Sequence, residues 1–154
     1  MPNYSKNQLL RHDDRIIRVL AVDTDVLAID CLKRTMPQWI PVSELCDWEP
    51  CDETALPSPD APICDMEELT PEQRKVMHER YTLIALVLPF IHKEAQRSAM
   101  IAQMAELNNV SKQTIRKYLC LYLTYQQLEI LAPPAQQKER EFTIDEKNFR
   151  WALN

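Results

Sequence analysis

Residues 104–119 read Met104-Ala105-Glu106-Leu107-Asn108-Asn109-Val110-Ser111-Lys112-Gln113-Thr114-Ile115-Arg116-Lys117-Tyr118-Leu119. This order of residue types specifies two helices joined by a tight turn. Met104 and Ala105 form an apolar helix end. A turn this tight needs one residue at positive φ, for which Gly is the cheapest choice and Asn the next. The chain contains no Gly, so Asn109 takes that position. Val110 fills the angle between the helices, and Ser111 accepts the backbone N–H of Thr114, fixing where the second helix starts. Ile115 and Leu119 then face inward, while Lys112, Gln113, Arg116, Lys117 and Cys120 face out. Asn108 is the misfit, standing where an apolar residue ordinarily closes such a turn.

The pattern is that of a helix-turn-helix with its recognition helix attached. Arg and Gln side chains can pair with guanine and adenine edges, whereas Lys and Ser suit phosphates. The expected DNA-binding residues are therefore Ser111, Lys112, Gln113, Thr114, Arg116 and Lys117, and the expected partner is double-stranded DNA. The competing reading is a helical hairpin packed in an unrelated core, its Lys/Arg face simply solvated.

Upstream, Thr70-Pro71-Glu72-Gln73 is a capping box with Pro in the first turn, where its missing N–H costs nothing. Met77, Tyr81, Ile84, Leu88 and Ile91 recur at helical spacing, so one stripe faces a core. Pro89 should bend or end this helix, with a short loop at His92-Lys93. The apolar run 81–91 is too short to span a bilayer. Ile115, Tyr118, Leu119 and Tyr122 would supply the other side of the core, making 70–132 a three-helix domain.

The chain has a net charge of −5, which argues against a general nucleic-acid coat. The average hides a split: residues 1–66 hold 6 Lys/Arg against 12 Asp/Glu, and residues 67–154 hold 12 against 11. Between Leu107 and Leu128 there are three basic residues and no acidic one, a local positive patch on an acidic protein. DNA binding is thus expected to be site-directed and modest in strength. Residues 46–69 are acidic and Pro-rich, without Lys or Arg. Such a composition cannot bury enough apolar area to fold alone and predicts a solvated linker.

In residues 1–45 the pattern turns extended. Gln8–His12, Arg15–Asp23 and Val26–Lys33 are apolar runs separated by Asp13-Asp14 and Thr24-Asp25, a β-meander. Both faces of the second and third runs are largely apolar, which suggests a small barrel-like β module closed by Trp39–Leu45. The expected fold is α+β: this module, the acidic linker, and the helix-turn-helix domain. About 45 residues make a marginal domain, so the module should lean on a neighbour.

Catalytic chemistry has no foothold in this sequence. Cys31, Cys46, Cys51, Cys64 and Cys120 contain no CxxC pair and lie far in sequence from His12, His78 and His92. Reduced intracellular thiols are expected rather than a zinc site. Neither metal nor small-molecule cofactor is expected, and a phosphate loop built on Gly is impossible. The N-terminus has no apolar signal core, so a cytoplasmic protein without membrane association is expected. In 133–154, Thr143-Ile144-Asp145-Glu146 forms a second capping box ahead of Phe149, Trp151 and Leu153. A further helix is expected to start there, either docking on the helical domain or, as the favoured reading, marking the chain as the front portion of a longer one.

The run Arg15-Ile16-Ile17-Arg18-Val19-Leu20-Ala21-Val22-Asp23 in a short β module, then a linker, then Val110-Ser111-Lys112-Gln113-Thr114-Ile115-Arg116-Lys117-Tyr118-Leu119 with a Pro-containing exit, resembles the N-terminal region of the TnsB-like, Mu-type DDE transposases. The resemblance covers the order of elements over most of residues 8–134 and is sharpest in the helix-turn-helix. It implies recognition of transposon-end DNA in DNA integration and recombination by a mobile element, alongside other transposition proteins. No part of the chain matches that family's catalytic domain, so end recognition without strand transfer is implied, and no enzyme activity is expected of this chain. The alternative is a helix-turn-helix transcriptional regulator whose β module binds a ligand or dimerises. A protein-interaction module without DNA binding is the third reading.

Overall fold

Short polar turns fix the first three strands. β1 (Leu9–His12) and β2 (Arg15–Val22) are joined by Asp13-Asp14, and β2 and β3 (Val26–Asp30) by a turn through Thr24. Asp13 sits at φ 54°, a conformation that Asp tolerates better than most residues. The structure, a computed structural model, describes residues 3–59, 63 and 65–134. Two further strands, β4 (Gln38–Ile40) and β5 (Glu49–Cys51), complete a five-stranded antiparallel sheet in the order β4-β3-β2-β1-β5.

The sheet is open, with β4 and β5 at its edges. The expected barrel closure by Trp39–Leu45 does not form: that stretch yields the short β4 and then a 3-10 turn, Val42–Leu45. Burial of both sheet faces has another cause. On one face Leu10, Ile17, Val19, Val26 and Ala28 pack with Leu45, edged by Tyr4, Ile40, Val42 and Trp48. On the other, Leu20, Leu27 and Ile29 share a core with Met77, Ile84, Ile101, Ile115 and Leu119 of the helices. A register shift helps: Val19 pairs Ala28 but Ala21 pairs Leu27, leaving Leu20 as a bulge residue aimed at the helical layer.

β5 falls inside the stretch expected to be a solvated spacer. It pairs with β1, and Pro50, which has no N–H to give to a further strand, suits an edge position. Leu69 is buried, and Leu56, Ile63 and Met66 pack against the main core. The described residues of this segment, which cannot fold alone, pack on a sheet edge and a helical surface offered by the rest of the chain.

The helical layer comprises α1 (Pro71–Ala85), α2 (Glu94–Asn108) and α3 (Lys112–Tyr125). The α1 start is the expected capping box: Thr70 Oγ1 accepts from Gln73 N at 3.1 Å, and Gln73 Oε1 accepts from Thr70 N at 2.9 Å. Its end is set by Pro89, whose ring would clash with the carbonyl of Ala85, the last residue of α1. Met77 and Ile84 are fully buried, with Tyr81, Leu88 and Ile91 at the core's margin. No helix among the described residues is long and apolar enough to cross a membrane. The capping box at 143–146, the apolar residues after it, and Cys64 lie outside the described residues.

Candidate nucleic-acid interface

Asn109, Val110 and Ser111 join α2 to α3. Asn109 lies at φ 56°, ψ 44°, the left-handed conformation expected of it. Its N–H donates to Glu106 O at 3.3 Å, and Val110 N donates to Ala105 O at 3.0 Å. These two bonds are the paired closure that ends a helix and satisfies its last carbonyls. Asn108 accommodates the polar misfit by staying exposed and donating its Nδ2 to Met104 O at 2.9 Å. Ser111 Oγ accepts from Thr114 N at 3.1 Å, so α3 begins where the cap dictates.

The expected contact residues fall on the first two turns of α3. Ser111, Lys112, Gln113 and Lys117 are exposed, and Thr114 and Arg116 are half-buried. Ser111 Oγ and Thr114 Oγ1 lie 2.9 Å apart, which ties both hydroxyls to the cap. Arg116 Nη1 meets Gln113 Oε1 at a long 3.4 Å, a contact either side chain can leave for a better partner. Beneath them Ile115 and Leu119 are fully buried. Tyr118 and Tyr122 turn toward α1, where Arg80 stacks over Tyr118 at 5.1 Å and Tyr81 meets Tyr122 edge-on at 5.7 Å.

Cys120 does not face outward as its spacing suggests. It is 4% exposed, because the β3–β4 connection crosses the second half of α3 and lays Met36 Sδ 3.6 Å from Cys120 Sγ. Burial pushes this thiol up to about 11, against the opposing pull of Arg97, Arg116 and Arg34. All three charged groups acting on it are thus cationic. Arg97, nine-tenths buried on α2, donates Nη1 to Ile91 O at 2.9 Å, and its Nε has no partner among the described residues.

The crossing connection also brings residues that the sequence reading left out. Lys33, Arg34, Lys117, Cys120 and Leu121 line one cleft of about 370 Å³ beside α3. A signal for them existed: Lys33-Arg34 is the adjacent pair of cations in the acidic first 66 residues. Nothing in local spacing, however, places that pair against a helix some eighty residues later.

Elsewhere the chemistry is sparse. Among the described residues, no group of three or more His, Cys, Asp or Glu is placed to hold a metal ion. Cys31 and Cys120 are buried, Cys51 is half-buried and Cys46 exposed, all as free thiols. No protein-family model matches the chain, and no curated protein matches its sequence.

Proposed function

We propose that this chain binds duplex DNA sequence-specifically, with α2 and α3 acting as a helix-turn-helix and α3 as the recognition helix. The observation that carries the reading is the paired arrangement of a left-handed Asn109 closing α2 and a Ser111 cap opening α3. Together they set the angle at which Lys112, Gln113, Arg116 and Lys117 project from a rigid base. Those side chains have the donors that base edges and phosphates accept. Among the described residues none of them is held in an ion pair.

In the transposase reading, the biological target is transposon-end DNA, and α3 reads one part of a longer, directional sequence. A single module of this size buries only about 600–1,000 Å² on DNA, so binding is modest and depends on neighbouring contacts. Selection of bound duplexes from a random pool, followed by footprinting and solution mass measurement, tests this. A monomer protecting an asymmetric site is the expected result. A stable dimer protecting a palindrome replaces the transposase reading with a regulator. Failure to shift any duplex at low salt overturns DNA binding altogether and leaves a protein-interaction module.

A further inference from the structure

We infer that Lys33 and Arg34, on the β3–β4 connection, form a second DNA contact that clamps the phosphate backbone beside the groove entered by α3. The inference rests on the DNA-binding reading above and assigns the β sheet a part in the same interface.

Placement is the first argument. Lys33 and Arg34 share a cleft with Lys117 and Leu121, on the flank of α3 from its second turn onward. Cys120, over which the connection crosses, lies eight residues past Lys112, or roughly 12 Å along the helix axis. The major groove is itself about 12 Å wide. A recognition helix addresses bases with its N-terminal residues, so an element held against its second half meets the groove's phosphate wall instead.

Charge is the second argument. The ion pairs among the described residues are Arg18–Glu53 and His12–Asp13, so Lys33, Arg34, Arg116 and Lys117 have no carboxylate engaged with them. The nearby Asp30 directs its Oδ1 at backbone N–H groups, accepting from Leu32 N at 2.9 Å and Lys33 N at 3.0 Å. Buried Arg97 adds positive potential from below, with one guanidinium nitrogen unsatisfied.

Rigidity is the third. Arg34 N donates to Asp30 O at 2.7 Å and its φ is 53°, a left-handed position unusual for Arg. The Asp30 bonds on one side and the Met36–Cys120 contact on the other fix the backbone between them. A preorganised pair of cations loses little freedom when it meets phosphate.

The test compares wild type with the double variant Lys33→Gln/Arg34→Asn, Asn being chosen because it tolerates the left-handed backbone. Affinity for the selected duplex is measured across a salt series, together with a scan of single-base changes in the site. The double variant is expected to bind about 10- to 30-fold more weakly at 0.15 M salt, with a salt slope lower by nearly two, and an unchanged base preference. The control Arg11→Gln/Arg15→Gln removes equal charge from the β1–β2 hairpin and is expected to leave the slope unaltered. Lys33→Glu alone, at an exposed side chain, serves as a second variant if the double one fails to fold. An unchanged slope in folded variants of a wild type that does bind overturns the clamp while leaving the role of α3 intact. Equal losses in the control overturn it too, since general charge then explains the effect. No binding by wild type overturns the DNA reading itself.

Discussion

Arg18 of β2 and Thr124 of α3, 106 residues apart in sequence, are joined by a hydrogen bond of 2.9 Å from Arg18 Nε to the Thr124 carbonyl. The guanidinium is 1% exposed, and it also donates to Asn7 O at 2.8 Å and to the two Glu53 carboxylate oxygens at 2.8 and 3.1 Å. One side chain thus ties the sheet, the end of α3 and the acidic segment together. A buried cation survives only if it is paired and hydrogen-bonded, and here each of the three guanidinium nitrogens has an acceptor. Replacing Arg18 by Met is expected to cost about 2–4 kcal/mol, because two carbonyls lose their donor. Glu53→Gln should cost about 1 kcal/mol or less, since its carboxylate is 61% exposed. Chemical denaturation of both variants checks the order, and equal costs would contradict it.

Asn109 provides a backbone test. At φ 56° a residue with a Cβ and no local hydrogen-bonding side chain is expected to cost about 1–2 kcal/mol. Asn109→Ala should therefore lower the melting temperature by several degrees, while Asn109→Gly should change stability by no more than about 0.5 kcal/mol. A loss in Asn109→Gly as large as in Asn109→Ala would show that the Asn side chain, rather than the backbone angle, matters.

On DNA, Arg116 and Lys117 are expected to act differently. Arg116→Ala should cost on the order of 1–3 kcal/mol on the preferred site and relax preference at one base pair. Lys117→Ala should weaken all sequences alike and reduce the salt slope by about one. Binding assays on the site and on single-base variants separate the two, and sequence-blind losses from both would remove the base-reading role of Arg116.

The thiols are expected to divide by burial. Desolvation raises Cys31 to about 12 and Cys120 to about 11 from the ordinary 9.0. Alkylation of the native protein at pH 8, mapped by peptide mass, should, among the four described cysteines, modify exposed Cys46 first and half-buried Cys51 more slowly, while sparing Cys31 and Cys120. The sign of the linkage follows from the raised values. The folded state holds these protons more tightly than the unfolded chain, so stability is undiminished below pH 9 and falls as pH rises from 9 toward 11–12. Rapid labelling of Cys120 at pH 8 would mean that the β3–β4 connection lifts off α3.

Much of the local structure was legible because local rules decide it. The strand runs, the capping box at Thr70, the stop at Pro89, the left-handed Asn109 and the Ser111 cap are each fixed by residues within four or five positions of one another. Hydrophobic periodicity then assigned Ile115 and Leu119 to the core. Spacing also made Cys120 an outward residue, and that failed because periodicity names a face but not what later covers it.

By itself, then, the sequence determined where α1 and α3 begin, where α2 ends and roughly where the first three strands run, since caps and turns act over a few residues. The tertiary structure alone decided that the sheet stays open, that the acidic segment supplies an edge strand, and that Lys33 and Arg34 come to lie beside α3. Apolar faces and uncommitted charges attract any complementary surface with little regard to sequence separation. Which surface prevails depends on the packing of all elements at once and on buried groups such as Arg18, whose nitrogens find their acceptors only when the parts have met.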